Sequence, residues 1–196
     1  MLEQVRAAGG ERLERSDYLE RFWELARTAD VLWKLERRQH FREMDNKSWE
    51  AFDRGNWDEA LRLIREAAPE ITRQIRQSSY RSLRLRVVEL PLSPYLLWEF
   101  HSLKVRAEAG NDIRVLHSDA LAHREQEDPL PEVVGLGNTV LFEVLYDSSG
   151  SHLGARQIND RDLIAACRRE FETLFPEGEP LLAFFDREVA GRRPPA

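Results

Sequence analysis

The apolar residues change their spacing near residue 80, and this limits the fold more than any other feature of the chain. Before that point they recur at helical intervals. Tyr18, Leu19, Phe22, Leu25 and Ala26 form one stripe, and Trp57, Ala60, Leu61, Ile64 and Ala68 begin another. After it, Leu83, Leu85 and Val87 alternate with Arg84, Arg86 and Val88, which is the period of a half-buried strand. Pro91 to Pro94 breaks that strand, with Ser93 as a helix cap and Pro94 in the first turn. A helix to about Ala109, Gly110 as its stop and a second strand over 112–119 complete a βαβ unit. A chain with these two halves is an α/β protein of the mixed α+β kind. Its helical N-terminal part packs on a small mixed sheet with a βαβ unit and a hairpin, followed by C-terminal helices.

The remaining elements follow from local signals. Ser16 is placed to cap a helix to about Thr28, residues 31–38 read as a short strand, and Gly55 ends a short helix around Trp49. Asn56 opens a long helix in which Pro69 predicts a kink or a split. TVLFEVLYD (139–147) and SHLGARQI (151–158) flank Ser148–Gly150 as a hairpin. Asn159 or Asp160 caps a helix with the stripe Leu163, Ile164, Cys167, Phe171 and Leu174, and residues 181–189 form a last short helix. This division gives a flexible lead-in (1–15), a helical subdomain (16–78), an α/β subdomain (79–190) and a tail (191–196).

With 196 residues the chain can bury a core without staples. It has no apolar run of about 18 residues, the length a membrane helix needs. Its charged N-terminus lacks the apolar stretch of a secretory signal, so a cytoplasmic location is expected. The single cysteine excludes an internal disulfide and a multi-cysteine metal centre. No cofactor or metal is implied. The net charge of −6 is uneven: residues 1–86 hold 18 basic and 16 acidic residues, and 87–196 hold 11 and 19. Five arginines and no acid lie between Ile71 and Val88.

Arg84 and Arg86 share one strand face and suit phosphate oxygens, or pair with Glu89, Glu99 or another acid. Tyr95, Trp98 and Glu99 follow the Pro91–Pro94 break as a possible pocket wall. Parallel βα units carry ligands at the carboxyl ends of strands, where Glu89 to Tyr95 falls. Arg114, on the second strand, completes this candidate ligand-binding set. None of its members is assigned as catalytic. His117, Asp119 and His123 share no helix or strand face, which argues against a zinc site. Cys167 sits on an apolar stripe and reads as an inert buried thiol. Gly135 and Gly137 precede a strand, the wrong order for a phosphate loop.

Four segments carry a family resemblance: 34–41 (KLERRQHF), 48–64, 83–116 and 140–156. The most specific is R-x-R-V-V-x-x-P-L-x-x-Y-L-x-W-E from Arg84 to Glu99. They resemble an actinobacterial family named only as a domain of unknown function, number 6879, over about Tyr18 to Val189. Arginine outnumbers lysine 26 to three, which fits a GC-rich genome. The resemblance implies no established activity, and it implies a protein partner such as a helix-turn-helix regulator. Asn111 to Leu116 is also similar to a strand of phospholipase-D-like domains. Their catalytic H-x-K is replaced here by His101-Ser-Leu-Lys104, so the catalytic apparatus is not shared.

The leading expectation is a non-catalytic regulatory, ligand-sensing or protein-interaction domain, with an anionic small molecule as a possible ligand. The alternatives are an enzyme on a phosphoester or nucleotide-like substrate, using Arg84, Arg86, Glu89 and Glu99, and a nucleic-acid-binding accessory protein using Arg73 to Arg86. The pI near 5.5 makes direct nucleic-acid binding unlikely.

Overall fold

A computed structural model describes residues 1–194. Eight strands form one mixed sheet: β1 (Glu11–Glu14), β2 (Val31–Glu36), β3 (Arg81–Val88), β4 (Asp112–His117), β5 (Val133–Leu136), β6 (Val140–Tyr146), β7 (His152–Ile158) and β8 (Glu179–Pro180). The spatial order is β1-β7-β6-β5-β2-β3-β4-β8. The centre, β2-β3-β4, is parallel, and every other neighbour pair is antiparallel. The helices are α1 (Arg15–Ala26), α2 (Lys47–Asp53), α3 (Trp57–Gln77), α4 (Pro94–Ala109), α5 (Arg161–Leu174) and α6 (Leu181–Glu188). The protein is therefore mixed α+β.

Period-2 alternation sorts the central strands onto two faces. Trp33, Leu35, Leu83, Leu85 and Val87 face α5 and an N-terminal 3-10 turn over Leu2–Ala7, and form one core with Cys167 and Phe171. On the opposite face two separate apolar patches form. α1 covers the β6–β7 side, where Tyr18 meets Phe142 edge-on at 5.2 Å. The helices α2, α3, α4 and α6 cover Val88, Ile113 and Val115. Between the patches lies a polar strip from β2 and β3: Lys34 and Glu36 opposite Arg84 and Arg86. That strip carries the buried charge network and the floor of the cleft described below.

Local chemistry accounts for the helix boundaries. The side chains of Asn46, Asn56, Ser93 and Asp160 each accept a backbone N–H in the first turn of the helix that follows. Gly110 ends α4 at φ +122°, a conformation that a side chain disfavours. Ser16 does not cap α1. Glu14 occupies the cap position without a side-chain bond, because the chain enters the helix directly from β1. Pro69 neither splits nor ends α3, which is continuous from Trp57 to Gln77. Pro69 and Arg65 are both exposed, so the carbonyl released by the missing N–H faces water.

Three features depart from the linear reading. The expected flexible lead-in over 1–15 supplies a 3-10 turn and β1, with Leu2 and Val5 fully buried. The sheet takes strands from both sides of the expected boundary at 78/79, because β2 lies between β3 and β5. Of the tail over 191–196, residues 195 and 196 lie outside the described residues. The strand β5 includes Gly135, directly opposite Trp33. A Cβ at Gly135 would lie 2.0 Å from the Trp33 ring, whose indole N–H donates to the Gly137 carbonyl at 3.1 Å. Gly135→Ala is therefore expected to cost about 1–3 kcal/mol or more through overpacking. Thermal melting checks this, and an unchanged Tm would contradict the packing.

Candidate functional site

The structure separates the candidate ligand-binding residues. Arg86, Tyr95 and Glu99 meet in one buried network. The Arg86 guanidinium is fully buried and donates from Nε to Glu99 Oε2 at 2.8 Å. Its Nη1 donates to the carbonyls of Glu36 and Val87 at 3.3 and 3.1 Å. The plane sits over Phe41, 5.5 Å from the ring centre. The Tyr95 hydroxyl lies 2.9 Å from Glu43 Oε1 and 3.3 Å from Glu99 Oε1. Burial raises the Glu99 pKa, and Arg86 opposes that rise.

Arg84 joins this network only through Glu36. Glu36 receives Lys34 Nζ at 2.6 Å and Arg84 Nη1 at 3.2 Å. Burial pushes the Glu36 carboxyl up, but Arg84, Lys34 and Arg86 together bring it down to about 2. Glu89 lies apart, held by Arg37 Nη1 at 2.7 Å, while the rest of the Arg37 fork grips Glu125. Trp98 is core: it stacks on Phe52, and its N–H donates to Ser48 Oγ at 2.9 Å. Arg114 sits on the other face of the sheet. It donates to the Gly178 carbonyl at 2.9 Å and covers Phe175. The seven residues therefore do not converge on one open cleft.

The arginine run is likewise dispersed. Arg73 pairs with Glu70, Arg81 with Asp112, Arg84 with Glu36 and Arg86 with Glu99. Four of the five arginines between Ile71 and Val88 are thus paired with an acid, and only Arg76 forms no ion pair among the described residues, which weakens the nucleic-acid reading.

A different set of residues lines the larger opening. A cleft of about 870 Å3 lies between α1 on one side and α3 with the end of α4 on the other. Its floor is the N-terminal half of β2 and β3, so it opens away from the carboxyl ends where the sequence places a ligand. A recess of about 600 Å3 does exist at those ends and includes Glu89. There Arg37 is already committed to Glu89 and Glu125. The cleft carries Lys34 and Arg84 from the floor, Arg106 from α4 and Arg27 from the end of α1. No Asp, Glu, His or Cys lines it among the described residues. Phe22, Trp23 and Tyr80 add aromatic surface, and Trp23 is 55% exposed.

Arg106 forms no ion pair among the described residues. Burial, then the neighbouring Arg84, lowers its pKa, and Glu36 and Glu43 offset this only in part. Two like charges held together and away from water are a cost that a bound anion relieves.

Lys34 and Arg106 are absent from the linear reading. Lys34 had a signal, since it alternates with Trp33 and Leu35 in VLWKLE. Its meaning depends on parallel pairing with β3 across α2 and α3, which spacing alone does not reveal.

Other candidates resolve as architecture. Cys167 is buried on the α5 stripe, and burial pushes its thiol up to about 11, which disfavours the thiolate. His101 packs between Trp57 and Phe185, and burial lowers its pKa to about 4. No group of three or more metal-ligating side chains occurs among the described residues. No helix of the described residues is long and apolar enough to cross a membrane.

Fold and site together define a mixed α+β domain with an acid-free, cation-bearing cleft beside a buried charge network. The chain belongs to the family described as domain of unknown function (DUF6879), whose sequence model matches residues 20–186. No curated protein matches the chain.

Proposed function

We propose that this chain is a non-catalytic ligand-sensing domain that binds an anionic small molecule in the α1/α4 cleft. The reading rests on one observation: a large aromatic-walled cleft is lined by four cations and by no acid, histidine or cysteine. Such a lining attracts an anion but offers no carboxylate, imidazole or thiol to move a proton or attack a substrate. The rival enzyme reading needs Glu89 and Glu99 beside Arg84 and Arg86. Glu99 is buried on the inner face of α4, paired with Arg86, and Glu89 is tied to Arg37. A regulatory output fits this reading, with a protein partner of the helix-turn-helix class as the receiver.

Thermal-shift measurement against phosphate, citrate and benzoate tests the binding reading. At about 100 times Kd, an anion that fits adds about 2.7 kcal/mol, or roughly 5–10 °C in Tm. Arg106→Gln is expected to abolish that shift. Its unliganded Tm should match or exceed that of the parent, because a partly buried cation without an ion-pair partner among the described residues is gone. Silence across this panel and across ring-borne phosphate monoesters would remove the anion-binding reading.

A further inference from the structure

Resting on that reading, we propose that the cleft recognises a phosphate monoester carried on a flat ring. Three observations lead there. Lys34 and Arg84 are register partners on neighbouring strands, and Arg106 reaches the same cavity from α4. Donors therefore come from both the floor and one wall. A carboxylate is planar and fits a single fork, whereas a phosphate offers three oxygens in different directions. Second, Glu36 is the only carboxylate that Lys34 and Arg84 share, and Arg106 pairs with none among the described residues. With Arg27, four cations line the cavity against this one shared carboxylate, an excess of positive charge that favours a dianion over a monoanion. A monoester carries about two charges above its second pKa near 6, whereas a diester carries one. Third, the aromatic side chains Phe22, Trp23 and Tyr80 line the same cavity. Phe22 and Trp23 meet edge-on at 5.0 Å, and over half of the Trp23 surface is open to solvent. An exposed indole beside a cation-floored cavity suits stacking against a planar ring. Ser82 and Asn111 add neutral hydrogen-bonding groups that suit ester or hydroxyl oxygens.

Calorimetric titration of the full chain tests this with five probes: adenosine monophosphate, phenyl phosphate, cyclic adenosine monophosphate, adenosine and inorganic phosphate. At least one of the two ring monoesters is expected to bind about tenfold or more tighter than inorganic phosphate. Adenosine monophosphate, where it binds, should exceed its cyclic form by a similar factor, because only the monoester supplies the second charge. Affinity for the monoester should weaken as pH falls from 7.5 to 5.5 and the phosphate takes up a proton. Binding should also change the tryptophan fluorescence, and Trp23→Phe should remove that change. The proposal is overturned if both ring monoesters bind no tighter than inorganic phosphate, or if the cyclic and open nucleotides bind equally. If citrate or benzoate raises Tm while neither ring monoester binds, the ligand class is wrong and the anion cleft stands. If no anion binds at all, both fall together.

Discussion

Replacing Arg86 by Leu is expected to destabilise the protein by about 3–5 kcal/mol, and so to lower Tm by roughly 6–20 °C. The size follows from what the substitution strands. Glu99 is 6% exposed and loses the Nε donor that faces it at 2.8 Å. Glu36 loses one of the three cations that hold it ionised, and two carbonyls lose their bonds to Nη1. An unpaired buried carboxylate is costly because little solvent reaches it. Glu99→Leu leaves the opposite charge unpaired and should cost a comparable amount. The double variant Arg86→Leu with Glu99→Leu should cost less than the sum of the two by about 2 kcal/mol or more, since neither charge is then left alone. Urea unfolding of the four proteins completes the cycle. Additive single effects would contradict the buried pair, and a cost below about 1 kcal/mol for Arg86→Leu would show that the side chain is not an anchor.

That network also explains what the sequence could and could not disclose. The βαβ unit was legible because every signal is local: alternation in 83–88, Ser93 and Pro94 at the start of α4, Gly110 at its end. The hairpin β6–β7 was legible for the same reason. The strand β5 was hidden because Val133 to Leu136 is short and buried on both faces, so it shows no alternation. The strand β8 is only two residues long and offers no period at all. Arg86 and Glu99 read in the sequence either as members of a ligand site or as an ion pair. Whether two such groups bind a ligand or each other depends on whether α4 lies over β3, and packing alone decides that. The cleft was missed for a related reason. Lys34, Arg84 and Arg106 come from three elements far apart in the chain, and only the parallel pairing of β2 and β3 under α4 brings them to one cavity.

Glu132→Gln is expected to change the pH dependence of stability. Glu132 Oε1 accepts the backbone N–H groups of Arg37 and Arg38 at 2.8 and 2.6 Å, while Oε2 is buried without a partner. Burial raises the carboxyl from its ordinary 4.5 to about 7, and the charge on Arg86 and the two backbone donors do not offset it. The folded protein therefore keeps a proton that the unfolded chain has already lost between pH 4.5 and 7. In that window stability falls as pH rises, by about 3 kcal/mol in all for a shift of this size. Glu36 acts in the opposite sense and at lower pH: its lowered pKa gives stability that is lost as pH drops from 4.5 toward 2. His101, with its pKa lowered to about 4, gains stability for the fold as pH rises through 4 to 6.5, and this partly masks Glu132 in the parent curve. The comparison with the variant removes that overlap, because His101 and Glu36 are common to both proteins. Gln keeps the acceptor for Arg37 and Arg38 but cannot ionise, although its amide N–H groups meet the same unpartnered space and give back part of the gain. The variant should therefore gain Tm relative to the parent as pH rises from 5, most steeply between about 5 and 6.5, and the gain should level off above 7. Parallel Tm curves for the two proteins over that range would mean that Glu132 is ionised in the folded state at pH 5 as it is at pH 8.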